Sequence, residues 1–167
     1  MKEVYIVAAK RTAIGGFLGG LSGFSATELG ALVMKNVIES TGIDPNTIDS
    51  VYMGNVLSAN LGQSPARQAA RFAGVADHTD CTTVNKVCAS GMKATALGAQ
   101  QIQLGIEDLV ITGGMESMSN APHYLPMRKT LKLGNETIVD GLLKDGLTDA
   151  YNHEHMGNCL LYTSRRG

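Results

Sequence analysis

The residues best suited to chemistry lie between Asp80 and Leu104, with Cys88 at their centre. Cys81-Thr82-Thr83-Val84 is β-rich and runs straight into a turn that ends in the small residues Ala89, Ser90 and Gly91. Gly91 to Leu104 is rich in Ala, Met and Leu, which predicts a helix that Gly105 stops. Cys88 is thereby placed at, or just before, a helix N-terminus. Unpaired N–H groups and the helix dipole favour an anion there, and for a cysteine the anion is the thiolate. A thiolate is the form that attacks carbonyl carbon. The small residues leave room for a carbonyl to approach, and backbone N–H groups of the turn can stabilise an oxyanion. The competing reading is a buried, inert thiol, the usual fate of a cysteine among small residues.

Other groups carry less. Arg67 and Arg71 lie four apart on one predicted helix face, where a substrate phosphate, a partner carboxylate or plain solvent can meet them. His153, His155 and Cys159 are metal-ligating types, but their count and spacing do not fit a closed zinc motif, and no metal is expected. The glycine-rich stretch from Arg11 to Gly23 is not a G-x-G-x-x-G word, and no P-loop lysine follows it. It reads as a mobile connecting loop.

Several elements must hold Cys88 in place. Val4 to Ala9 is an apolar run that reads as a buried strand. Ser25-Ala26-Thr27-Glu28 is a capping box, and Leu29, Leu32, Val33, Val37 and Ile38 recur at helical spacing until Gly42. Asp44-Pro45-Asn46 is a turn, and Ser50 to Val56 reads as a strand. Ser64 and Pro65 open a helix as N-cap and first position, running to about Ala73. Glu107 to Thr112 reads as a strand that ends in Gly113-Gly114. Strand, helix and strand at this spacing form a βαβ unit, so the class is α/β. Sites in such sheets lie at the carboxyl ends of strands, so the Cys88 and Gly113-Gly114 turns should border one crevice. From Ala121 the periodicity fades. Pro122, Pro126 and a basic patch of Arg128, Lys129 and Lys132 mark a long excursion, with a short helical piece at Asp140 to Leu143.

Composition excludes several classes. With 167 residues, 44% of them hydrophobic and 17% charged, the chain can bury a core and is not disordered. A net charge of −1, no long basic run and 5% aromatics argue against nucleic-acid binding. No stretch is long and apolar enough to span a membrane, and Met1 to Val7 is too short an apolar run for a signal peptide. Three cysteines at wide spacing form no disulfide framework, which fits a reducing, cytoplasmic setting. With no Cys-x-x-Cys word, thiol redox chemistry is disfavoured.

Read in order, several words resemble those of the thiolases. They are Arg11-Thr12-Ala13-Ile14-Gly15, Met53-Gly54-Asn55-Val56, Gln63-Ser64-Pro65-Ala66-Arg67-Gln68, Gly113 to Ser119, and His155-Met156-Gly157. Val84 to Ala94, around Cys88, resembles the family's acyl-enzyme signature. The likeness is collinear from Met1 to Cys159 and is closest to the acetyl-CoA acetyltransferase branch. The ketoacyl synthases, which also use a helix-end cysteine, match the flanking words less well.

The resemblance implies the layered thiolase fold: the N-terminal α/β half over 1–120, the start of an inserted loop domain over 121–159, and a non-family tail over 160–167. It implies that Cys88 takes an acetyl group from acetyl-CoA, and that a second acetyl-CoA attacks to give acetoacetyl-CoA, with thiolysis as the reverse. Leu147, His155 and Met156 would line the pantetheine and acyl pocket. CoA thioesters would be substrates, with no bound cofactor, and the full-length protein would be a homo-oligomer. The family's second-half words, an Asn-Glu segment, a Gly-His-Pro histidine and a Cys-x-Gly cysteine, are not among these 167 residues. A truncated frame with a foreign tail is therefore expected, and this chain alone is expected to be inactive and prone to self-association. The alternatives are a non-catalytic acyl-CoA-binding α/β fragment and a 3-ketoacyl-CoA thiolase of longer chain preference.

Overall fold

The computed structural model describes residues 1–128 and 133–164. Its centre is a parallel three-stranded sheet in the order β2-β1-β3, with β1 at Ser50–Gly54, β2 at Asp80–Val84 and β3 at Val110–Gly114. Tyr52 pairs with Thr82 on one side and Thr112 on the other. Every residue of β1 is buried, as a central parallel strand covered on both faces should be.

Three helices cover the sheet: α1 (Ala26–Thr41), α2 (Pro65–Phe72) and α3 (Ser90–Gln103). The pleat sorts them. Val51 and Met53 join α1 and α2 in one core, while Tyr52, Val110 and Thr112 face Gly98 of α3. A Cβ at Gly98 would sit 2.5 Å from Thr112 Cγ2, so α3 lies on the sheet only because that position is glycine.

The capping box on α1 is complete. Glu28 N donates to Ser25 Oγ (3.2 Å) and Ser25 N donates to Glu28 Oε2 (2.8 Å). Gly42 then closes the helix in the left-handed region, its N–H reaching Ile38 O. The buried face differs from the expected stripe. Ala26, Thr27, Gly30, Ala31, Met34 and Ile38 are buried, whereas Leu32 is exposed. Small residues win because α1 and α2 approach closely: a Cβ at Gly30 would lie 3.4 Å from Ala69 Cβ.

Other expectations need correction. Val4 to Ala9 forms no strand. Lys2 N donates to Gln103 O (3.2 Å) and Lys2 Nζ meets Asp108 (2.5 Å), but no ladder follows among the described residues, and Tyr5, Ile6 and Val7 are exposed. Apolar content favours burial, but a strand exists only against a partner. Ser64 holds the N-cap position with φ 46° and caps nothing; the Ala66 N–H donates instead to Thr83 Oγ1 at 3.0 Å. Arg67 and Arg71 stay partly open to solvent, with side chains 40% and 43% exposed. Their guanidinium groups donate to the carbonyls of Thr79, Asp77 and Val75, and Arg71 pairs with Asp77 at 3.0 Å, so they tie down the loop between α2 and β2.

Beyond β3 the chain makes a short antiparallel pair, β4 (His123–Tyr124) with β5 (Val139–Asp140). Gly141 turns tightly there, since a Cβ would lie 2.3 Å from Pro122 O. The helical piece runs further than expected, as a π-type turn over Leu143–Leu147. A last helix, α4, spans Met156–Ser164 and so runs through most of the expected tail. Lys129 and Lys132 of the basic patch, and residues 165–167 of the tail, lie outside the described residues.

Asp49 joins the sheet's starting edges. Its Oδ2 accepts from Asp108 N (2.8 Å) and Leu109 N (2.9 Å), and these N–H groups hold its carboxyl below the usual range. A lowered carboxyl adds stability above its unfolded value, and that stability is lost as pH falls through the folded one. Asp49→Asn keeps an acceptor but cannot titrate. Urea unfolding across acid pH should therefore show a shallower loss of stability for the variant; parallel curves would refute this.

Candidate active site

The carboxyl ends of β1, β2 and β3 open onto one crevice of about 680 Å³, lined by both Cys88 and Gly114. This is where a parallel sheet flanked by helices places its sites. Cys88 follows β2, directly before the first residues of α3, and its side chain is exposed.

The turn that carries it is strained and tightly bonded. Val87 has φ +48°, a conformation a β-branched residue rarely adopts. Val87 N donates to Asn85 Oδ1 (3.0 Å). Ala89 N donates to Lys86 O and Ser90 N to Val87 O, both at 3.1 Å. These two N–H groups are occupied within the turn, so the oxyanion role expected of the small-residue turn does not fall to them.

The opposite wall holds a carboxylate that the sequence did not single out. Glu116 accepts from Asn55 Nδ2 (2.8 Å), Val56 N (2.9 Å) and Leu57 N (3.1 Å). It thereby ties the loop after β1 to the loop after β3. Burial pushes its carboxyl up, against the pull of the two backbone N–H groups. Glu116 is the one acidic residue in the Gly113 to Asn120 stretch, and that is the signal that could have marked it.

The glycine-rich stretch is the third wall and not a free connector. Leu18 N donates to Ser119 Oγ (2.9 Å), and Asn120 Nδ2 donates to the carbonyls of Ser22 and Phe24, both at 2.9 Å. Ile14, Phe17 and Leu21 line the crevice beside Leu29 and Val33 of α1. These two α1 residues belong to the stripe expected in the core, and the crevice accounts for them.

Of the other expected site residues, Leu147 lines the crevice, while His155 and Met156 are not among its lining residues. His155 Nδ1 accepts from Gly157 N (2.9 Å) at the start of α4, and its backbone bridges to Thr148. No group of three or more metal-ligating side chains gathers among the described residues. No histidine lines the crevice among them either.

The profile of the family described as "Thiolase, N-terminal domain" matches residues 4–160. The chain belongs to the thiolase family. Its curated thiolase relatives include the cytosolic acetyl-CoA acetyltransferase ERG10 of Gibberella zeae, 56% identical over 158 residues, which covers 94% of this chain and 40% of the relative. The mitochondrial acetyl-CoA acetyltransferase of Homo sapiens is 48% identical over 166 residues, covering 99% of this chain and 39% of the relative. Among solved thiolases, Acat5 from Ascaris suum in complex with coenzyme A superposes with a TM-score of 0.93 at 42% identity, over 99% of this chain and 43% of that one. The α/β fold is therefore the thiolase fold, and the chain spans about 40% of the length of the curated relatives it matches. Within that fold, Cys88 stands where the sheet ends and α3 begins.

Proposed function

We propose that these residues form the nucleophile half of an acetyl-CoA acetyltransferase site, with Cys88 as the acyl carrier. One observation carries the reading: in a thiolase chain, the exposed Cys88 opens into a crevice at the strand ends, next to the N-terminus of α3. The Cys88 thiolate attacks the thioester carbonyl of acetyl-CoA, a new S–C bond forms, and the bond to the CoA sulfur breaks. CoA leaves as a thiolate and takes up a proton. A base removes a proton from the methyl group of a second acetyl-CoA, and the resulting carbanion displaces Cys88 to give acetoacetyl-CoA. The reverse direction is thiolysis.

Leu147, which lines the crevice, and His155 and Met156 are assigned together to the pantetheine and acyl pocket on the family likeness. We assign 1–120 to the α/β half, 121–159 to the start of the loop domain and 160–167 to a tail outside the family pattern. In a protein of the relatives' length the assembly is a homo-oligomer, and the compartment is cytoplasmic, in line with the higher identity to the cytosolic relative.

These 167 residues alone do not turn over, because no histidine among the described residues lines the crevice to accept the protons. Incubating the chain with acetyl-CoA, quenching and mapping peptides should reveal an acetyl group on the Cys88 peptide without acetoacetyl-CoA release. Steady release at ordinary enzyme rates would refute the inactivity. An acetyl group found on Cys159 and never on Cys88 would refute the nucleophile.

A further inference from the structure

We infer that Ser90 is a positioning residue for the Cys88 nucleophile, its hydroxyl locking the strained turn that presents the thiol. The inference rests on the reading of Cys88 as nucleophile. Ser90 is 5% exposed, within the first turn of a helix where a hydroxyl has no solvent role. Its Oγ accepts from Lys86 N at 2.8 Å and donates to Val87 O at 2.6 Å. One hydroxyl thus bonds the backbone on both sides of the Lys86–Val87 peptide and closes the loop that contains Cys88.

The geometry needs such a lock. Val87 sits at φ +48°, a strained conformation that persists only where surrounding contacts over-determine it. Ala89, at the N-cap position of α3, makes no side-chain cap bond, so the usual device for fixing a helix start is absent. The hydroxyl of Ser90 supplies it one residue later. β1 backs it from below: a Cβ on Gly54 would lie 2.8 Å from Ser90 Cβ and 2.6 Å from Ser90 C. Ser90 is therefore held between the strand end and the turn, and Cys88 projects from the loop it closes. Without the hydroxyl, Lys86 N–H loses its partner and Val87 C=O keeps only the Ser90 N–H, so Val87 relaxes toward an ordinary basin and carries Cys88 with it.

The test uses iodoacetamide on the whole chain, with alkylation of Cys88 measured against Cys159 by peptide mapping. Ser90→Ala should lower the Cys88-to-Cys159 rate ratio roughly fivefold to tenfold, the effect of losing one or two hydrogen bonds. Adding Val87→Gly to that variant should recover most of the ratio, because glycine holds a positive φ without the hydroxyl's help. A merely structural role would lower the melting temperature and leave the ratio unmoved, and that result overturns the inference. So does a folded double variant whose ratio stays low. If Ser90→Ala does not fold, amide exchange in the unaltered chain decides: Lys86 N–H exchanges slowly if Ser90 holds it, and free exchange there overturns the proposal. Failure of acetyl transfer to Cys88 in the unaltered chain would remove the acyl reading alone, since alkylation needs no thioester.

Discussion

Cys88→Ser abolishes the acetyl adduct formed from acetyl-CoA, a loss on the order of a thousandfold or more. A serine hydroxyl stays protonated at neutral pH, and no histidine among the described residues lines the crevice to take its proton, so the oxygen is a poor nucleophile at the same place. The fold should be indifferent to the change. Cys88 is exposed, and surface substitutions usually move stability within about 0.5 kcal/mol. Peptide mapping after thioester treatment, with a melting curve as control, separates the two effects. An acetyl group retained on the peptide around position 88 after the substitution would sink the assignment of Cys88. A lowered melting temperature would instead refute the expectation that the fold is indifferent to the change.

Gly54→Ala should be the most damaging single methyl in the sheet. The new Cβ would meet Gly91 N and Ser90 C, both at 2.6 Å, and both are backbone atoms that cannot rotate away. Overpacking of this kind costs about 1–3 kcal/mol, and more where the neighbours cannot shift. For a chain of this size that lowers the melting temperature by roughly 3–10 °C. The first turn of α3 must move, so the accessibility of Cys88 to alkylation should change as well. Gly20→Ala is the comparison, because a Cβ there meets nothing within 4 Å. Equal melting temperatures for the two variants would mean that β1 and α3 are not in the close contact described.

What the sequence determined by itself was local or periodic. The Ser25 capping box, the Gly42 and Gly105 stops, the Ser50 strand and the strand-turn-helix around Cys88 all depend on neighbours within a few residues. The parallel sheet and the shared crevice follow from that order of elements. The position of Cys88 was legible because a thiol before a helix start is a local arrangement. Only the tertiary structure decided what depends on partners distant in the chain. Val4 to Ala9 has a strand's composition but no facing strand among the described residues. Arg67 and Arg71 find carbonyls across a turn, and the glycine-rich stretch is held by Ser119 and Asn120, roughly a hundred residues away. Leu29 and Val33 carry helical spacing that fits a core equally well, yet they face the crevice, because α1 and α2 pack through Gly30 and Ala69 instead. Glu116 becomes a site residue only when folding brings the ends of β1 and β3 together and three donors converge on its carboxylate. Spacing along a chain reports which face a residue shares, while the identity of what covers that face is set by packing between elements.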